Sequence, residues 1–307
     1  MTALDFTPNM EVTIGRLKLR NPIMPASGTF GEEMEELFDL HRLGAIVPKS
    51  ITKHPRPGNA VPRVCETAAG MMNSIGIQSK GIHHYMQRIL PFYAQYDVPL
   101  IASISADSID EFAELAECIG GQPSVSALEL NISCPNLKGD GEAFGLSSEA
   151  TRSLVSKVRS VTDKTVIVKL SPNVTRIQEI ALAAEEAGAD ALNAANTLLA
   201  LSIDIHTRKS RIGNGMGGLS GPAVKPIIVR LIYQIKQVCR LPVIGCGGVM
   251  SGADAIELIL AGASAVQVGT ASFVNPLALI EILDEIEQYM KDYNVRSMID
   301  IIGKAHV

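Results

Sequence analysis

The stretch PVIGCGGVMSGADAIELILAGASAVQVGTA, residues 242–271, decides the fold. An apolar run ends in Cys246, Gly247 and Gly248. An amphipathic run, GADAIELILAG, follows it, and a second apolar run ends in Gly269 and Thr270. Apolar strands alternating with helices are the pattern of a parallel sheet covered on its faces. Glycine at a strand tip lets backbone N–H groups approach an anion, and a following helix N-terminus adds a favourable dipole. In α/β barrels the loops after the last two strands are the usual phosphate site. The paired tips therefore predict phosphate binding, against the plainer reading of turn glycines. They leave open whether the phosphate belongs to a substrate or a cofactor.

The same unit recurs upstream. PIMPAS (22–27), AIVPKS (45–50), PLIASIS (99–105), ALELNIS (127–133), TVIVKLS (165–171) and ALNAAN (191–196) join PVIGCGG (242–248) and AVQVGTA (265–271) to make eight candidate strands. Helical patterns lie between them at 108–119, 147–161, 174–188 and 252–262, and a last one covers 276–290. A serine cap opens 147–161 and a C-cap glycine closes 174–188. The opening EVTIGRLKLRNP (11–22) alternates around Gly15 and reads as a hairpin. The expectation is an α/β chain: a (β/α)8 TIM barrel with an N-terminal β-hairpin and long βα-loop insertions, at 51–98 and 197–241, each with a helix of its own. Long insertions in compact domains are usually functional. No linker, repeat or low-complexity tract divides the sequence, so 1–307 is read as one domain.

Composition narrows the function. Of 307 residues, 47% are hydrophobic, with no tryptophan, and the net charge is −5. There is no basic run or basic–aromatic pattern for nucleic acid. The five cysteines are scattered with no CxxC pair, and the six histidines form no HExxH pattern, so no metal or cluster is expected in this chain. Unpaired cysteines fit a reducing cytoplasm. MTALDFTPNMEV does not read as a signal peptide, and no apolar run nears the ~20 residues of a membrane span.

ALELNISCPNLKGDGEAFG (127–145) carries the candidate chemistry. Its strand ends in Asn131, Ser133, Cys134 and Asn136, at the end of the sheet where parallel α/β enzymes keep active sites. Cys134 acts only where its surroundings permit a thiolate or a proton acceptor. Lys49 and Lys169 each end an apolar strand, placed to balance an anion at the barrel mouth; the plainer reading is a rim lysine reaching for water. Asn73, Asn131, Asn136, Asn193 and Asn196 cluster near tips or in a long loop, Asn193 being the weakest because it lies inside its strand. Amides that donate and accept suit a planar ring edged with N–H and C=O groups. Cys65, Cys118 and Cys239 are read as inert, and His83–His84, Glu185–Glu186 and Asp284–Glu285 as solvated faces.

At this point a family likeness emerges. MPASGTFG (24–31), VPKSIT (47–52), MNSIGIQ (72–78), NISCPN (131–136), VKLSPN (168–173), ANTLLALSIDIHTR (195–208), GGLSGPAVKPI (217–227) and GCGGV (245–249) occur in this order. Over nearly its whole length the chain resembles the class 1 dihydroorotate dehydrogenases, most closely the NAD-linked B-type catalytic subunit.

The resemblance implies an FMN-bearing barrel that oxidises dihydroorotate to orotate in pyrimidine synthesis. It assigns FMN to Ser27, Lys49, Ser50, Ser103, Asn131, Lys169, Ala195, Gly221, Gly247, Gly248, Gly269 and Thr270. It assigns the substrate to Lys49, to the run Asn73, Ser74, Ile75, Gly76 and Ile77, and to Asn131, Asn136, Asn196 and Thr197. Cys134 is the family's base, with an ordinary pKa of about 8.5 that neighbours must tune, and Lys169 steadies negative charge on the flavin. The 139–145 loop is expected to close over the site.

Some positions depart from the family. Ser103 stands where an asparagine commonly meets the flavin, Ser79–Lys80 replace Asn-Pro, and Ala194–Ala195 are smaller than usual. B-type relatives pass electrons to a subunit holding FAD and a [2Fe–2S] cluster, which reduces NAD⁺. With no clustered cysteines and no dinucleotide fingerprint read in it, this chain implies that partner, in a heterotetramer of two catalytic and two electron-transfer subunits around a homodimer core. Two alternatives stand beside it: a self-sufficient A-type enzyme using fumarate, and a non-flavin phosphate-binding barrel.

Overall fold

The computed structural model describes residues 6–133 and 144–306. Seven parallel strands form the central sheet: β1 (Ile23–Pro25), β2 (Ile101–Ile104), β3 (Ala127–Asn131), β4 (Thr165–Lys169), β5 (Ala191–Ala194), β6 (Val243–Cys246) and β7 (Ala263–Val268). Their order is β1-β7-β6-β5-β4-β3-β2. Every residue of β4, β5 and β6 is buried. One face packs on helices and the other on the barrel interior, which is why these strands read as unbroken apolar runs.

The expected eighth strand, 45–50, is not a strand. It makes two isolated parallel bridges, Ile46 with Leu100 and Ile51 with Ile104. Pro48 sits between them and has no N–H to donate, so a continuous ladder cannot form. The segment still joins the edges of the sheet. Gly44 N donates to Ile23 O at 2.8 Å, at the start of β1, and Ile46 N donates to Pro99 O at 2.9 Å, just before β2. The result is a TIM-barrel-like α/β fold.

The helices fall where the apolar spacing places them: α1 (Ile109–Gly120), α2 (Ser148–Arg159), α3 (Ile177–Glu186), α4 (Lys225–Lys236), α5 (Gly252–Leu260) and α6 (Ala278–Asp292). Ser108 Oγ accepts from Glu111 N at 3.1 Å, Ser147 Oγ from Ala150 N at 3.3 Å and Ser251 Oγ from Asp254 N at 3.3 Å. Each satisfies an N–H that the first helical turn would leave orphaned. Glu285 is exposed, as read, and also accepts from Gly252 N, which ties α6 to the start of α5.

The hairpin Val12–Ile14/Leu17–Leu19 forms as expected. It lies against the N-terminal ends of β4 and β5, since a Cβ on Gly15 would meet Asp190 Cβ at 2.8 Å and Thr165 Cγ2 at 3.0 Å. The two long insertions fold together at the other end. Val64–Thr67 and Gly70–Asn73 come from the first, Leu198–Ala200 and Gly217–Ser220 from the second, and they make one four-stranded antiparallel sheet. Asn73 pairs with Gly218 across the join.

Candidate active site

The strand tips open into a cavity of about 540 Å³. That is within the usual range for small-molecule sites, ~300–1,000 Å³. Of the residues nominated from sequence, all but five line it, Asn193 lying buried beneath the tips. Cys134 and Asn136 lie outside the described residues, as does most of the 139–145 loop. Ser103 and Gly221 stand just behind the wall. Ser103 Oγ is 3.0 Å from Ser50 Oγ, which is 2.8 Å from Ser27 Oγ, so three hydroxyls run in a chain from the buried strand to the pocket. The shorter side chain thus reaches the site through Ser50. Gly221, with φ +96°, turns the chain after Ser220, whose Oγ accepts from Thr270 Oγ1 at 2.8 Å.

One wall is built from glycine. Gly247 and Gly248 follow β6 with φ of +129° and +81°. A Cβ on Gly248 would fall 2.5 Å from Lys225 Cα, in the backbone that opens α4. The tip is therefore held close to α4, and only glycine fits there. Gly269 and Thr270 follow β7 beside it, as the sequence led us to expect.

The opposite wall is polar. Asn196 Nδ2 donates to Asn131 Oδ1 at 3.1 Å, and Asn196 Oδ1 accepts from Thr197 N at 2.8 Å. Asn131 keeps an amide N–H with no partner among the described residues. Lys49 lies over Gly28, where an added Cβ would meet its Nζ at 3.0 Å. Ile77, within the first insertion, has φ +48°, an uncommon conformation for a β-branched residue. Such outliers concentrate at ligand sites.

The floor is Lys169, 6% exposed, whose Nζ donates to Gln267 Oε1 at 3.1 Å. Burial disfavours its charge, while the Cys246 sulfur and the Glu129 carboxylate favour it; the balance holds Lys169 above the ordinary lysine value. Burial raises the Cys246 thiol, against the pull of the Lys169 ammonium. The Glu129 carboxylate also faces the ammonium, with Oε1 at 3.9 Å from Nζ. Sequence reasoning passed over Glu129 and Gln267 and ranked Asn193 last. The available signal was a carboxylate and two amides inside otherwise apolar strands.

One reading from sequence needs correction. GNGMGG, 213–218, does match the GxGxxG spacing. It runs into the antiparallel strand Gly217–Ser220, and the next long helix starts only at Lys225. It is not the strand–turn–helix that binds a dinucleotide.

Comparison with known proteins bears on the same site. A family profile described as dihydroorotate dehydrogenase matches residues 9–290. The chain belongs to the dihydroorotate dehydrogenase family. It is 50% identical over 298 residues to a protein of Trichlorobacter lovleyi, covering 96% of this chain and 98% of that one. It is 50% identical to one of Desulforudis audaxviator, with 96% and 97% covered, and 47% identical to one of Porphyromonas gingivalis, with 95% and 96% covered. Each of the three is named dihydroorotate dehydrogenase B (NAD(+)), catalytic subunit. Membership in this family implies a flavin in the catalytic subunit, and the name "catalytic subunit" implies a partner. Among the described residues no helix is long and apolar enough to cross a membrane.

Proposed function

We propose that this chain is the catalytic subunit of an NAD-linked, B-type dihydroorotate dehydrogenase, which oxidises (S)-dihydroorotate to orotate in pyrimidine biosynthesis. One observation carries the reading: a single cavity joins a glycine wall at the tips of β6 and β7 to a floor and wall of lysines and amides. Its donor set fits FMN. Backbone N–H groups at Gly247, Gly248 and Gly269 suit a phosphate, and Asn131 and Lys169 suit the polar edge of a flat ring. When bound, FMN would supply the hydride acceptor.

The residues of the chain do the rest. Lys49 matches the carboxylate of dihydroorotate, and Asn73, Asn131, Asn196 and Thr197 match its ring amides. The reaction takes a proton from the carbon beside a carbonyl and a hydride from its neighbour. Cys134, three residues beyond Asn131 in the sequence, is the base for that proton. Near neutrality only a few per cent of an unperturbed thiol is ionised, so a neighbour or local dipoles must tune it. The Lys169 ammonium offsets negative charge on the pocket floor.

Electrons then leave to a partner subunit carrying FAD and [2Fe–2S], in a cytoplasmic assembly of two catalytic and two electron-transfer subunits. One feature favours this over fumarate as acceptor: the relatives above are B-type by name. The test is the visible spectrum of the purified chain before and after anaerobic addition of dihydroorotate. Flavin absorption that bleaches supports the reading. Flavin that stays oxidised in folded protein refutes the substrate, and a chain that takes up no FMN on reconstitution refutes the cofactor.

A further inference from the structure

Barrel interiors are filled by layers of side chains from alternate strands, mostly branched and apolar. One layer here is polar. Glu129 on β3, Asn193 on β5 and Gln267 on β7 are each 0% exposed and come from alternate strands. Glu129 Oε2 accepts from Asn193 Nδ2 at 2.7 Å and from Gln267 Nε2 at 2.7 Å. Gln267 Oε1 accepts from Asn193 Nδ2 at 2.8 Å and from Lys169 Nζ at 3.1 Å. The amide N–H groups grip one carboxylate oxygen, and the amide oxygen of Gln267 grips the lysine. The other carboxylate oxygen, Oε1, is buried without a hydrogen-bond partner and faces Lys169.

Such a layer is expensive. A buried carboxylate with an unpaired oxygen costs free energy, and a well-packed apolar layer would serve the barrel as well or better. Stability therefore does not explain it. The geometry points outward, toward the pocket. Asn131 follows Glu129 by two residues on β3 and so shares its face, and Lys169 is the register partner of Asn131 on β4. The titratable groups facing Lys169 are Glu129 from β3 and Cys246 from β6. Glu129 is the carboxylate of the two, with Oε1 3.9 Å from Nζ.

We propose that Glu129 is a positioning residue for Lys169: its carboxylate, oriented by Asn193 and Gln267, holds the lysine at the pocket floor and keeps it an ammonium there. The proposal rests on the FMN reading above. Gln267 sets where Nζ sits, Asn193 sets the rotamer of Glu129, and Glu129 supplies the charge. None of the three lines the pocket. They act on bound flavin only through Lys169.

The sign of one measurement separates this from a merely structural or generic electrostatic role. Removing a nearby carboxylate, with all else equal, makes reduction of a flavin easier. If Glu129 instead keeps Lys169 charged, removing it also removes the nearer positive charge, and reduction becomes harder. The test is the midpoint potential of bound FMN in Glu129→Gln, measured from pH 6 to 9, alone and combined with Lys169→Met. At pH 8 we expect the reduction equilibrium to fall at least tenfold, about 30 mV for a two-electron couple. The effect should shrink as pH falls and vanish in the Lys169→Met background, the signature of a coupled pair.

A potential that rises or stays put while Lys169 is present would overturn the proposal, as would a downward shift that persists without Lys169. If Glu129→Gln does not fold, Glu129→Asp decides in the same cycle. Its retracted carboxylate should give a smaller shift of the same sign that again needs Lys169, and any other result overturns the proposal. A wild-type chain that takes up no FMN fails differently, removing the flavin reading and this inference together.

Discussion

Gly248→Ala tests whether the tip of β6 is the phosphate cradle. Gly248 has φ +81°, where a residue with a side chain pays about 1–2 kcal/mol. The added Cβ would also lie 2.5 Å from Lys225 Cα and 2.6 Å from Lys225 N, against an ordinary contact of 3.4 Å or more. Lys225 cannot easily yield. It opens α4, and its Nζ is held by Asp254 at 2.7 Å and Glu257 at 2.6 Å. The turn must therefore swing away from α4, carrying the 247–248 peptide off its position in the wall. Binding has to bring it back against that same strain. At 1.4 kcal/mol per factor of ten, 1–2 kcal/mol weakens FMN about five- to thirty-fold. The assay is quenching of FMN fluorescence on titration with apoprotein, beside a circular-dichroism melt to show that the variant is folded. An affinity within about twofold of wild type, in a folded variant, would refute the reasoning.

Three further outcomes follow from the same structure. Cys134→Ser should keep FMN but lose most turnover near neutral pH, with the residue of activity climbing as pH rises, because a hydroxyl is a far weaker base; unchanged neutral turnover would remove Cys134 as the base. Phe112, 0% exposed on α1 and edge-on to Phe144 with centroids 5.9 Å apart, should cost about 3–5 kcal/mol in urea denaturation when cut to alanine, and a loss below about 1 kcal/mol would show that the contact is dispensable. Burial raises the Asp254 carboxyl, but the Lys225 ammonium and the Met250 N–H outweigh it and hold the pKa below the ordinary value. A depressed folded pKa gives stability that is present above the unfolded value of about 3.9 and is lost as pH falls through the folded one. Asp254→Asn should therefore melt lower than wild type at pH 7, with the gap narrowing as pH falls below about 3.9; a gap that does not narrow there would mean the side chain acts through packing and not charge.

The strands and helices were legible because burial on both faces leaves unbroken apolar runs, and because Ser108, Ser147 and Ser251 advertise helix starts. The segment 45–50 misled for the same reason: it is as apolar as a strand, and only Pro48, which withholds a donor, breaks its ladder. The site was legible where a residue's type is unusual for its position. Lys49, Lys169 and the tip glycines stand out at the ends of apolar runs, and the pocket holds all of them. The joining of the two insertions into one antiparallel sheet was not legible, since pairing between segments some 145 residues apart leaves no local pattern. Nor was the polar layer. A Glu in ALELN reads as one exposed position of an alternating strand until the fold shows that both faces of β3 are covered.

That layer also marks where the barrel changes purpose. At the N-terminal end everything serves rigidity. Arg159 Nη1 pairs with Asp190 Oδ2 at 2.8 Å while Nη2 donates to Lys164 O at 2.7 Å, and Val166 N donates to the same Asp190 oxygen at 2.8 Å, so the starts of β4 and β5 are locked together under the hairpin. At the C-terminal end the tips carry amides, lysine and glycine. Strand geometry connects the two: side chains repeat every second residue, so Glu129 lies directly under Asn131. A ligand-facing group needs its own position fixed by what lies beneath it. An apolar layer at Glu129, Asn193 and Gln267 would leave Lys169 buried with no charge to face and one acceptor fewer. The barrel accepts a less stable middle so that the cation on its floor has a single place to be.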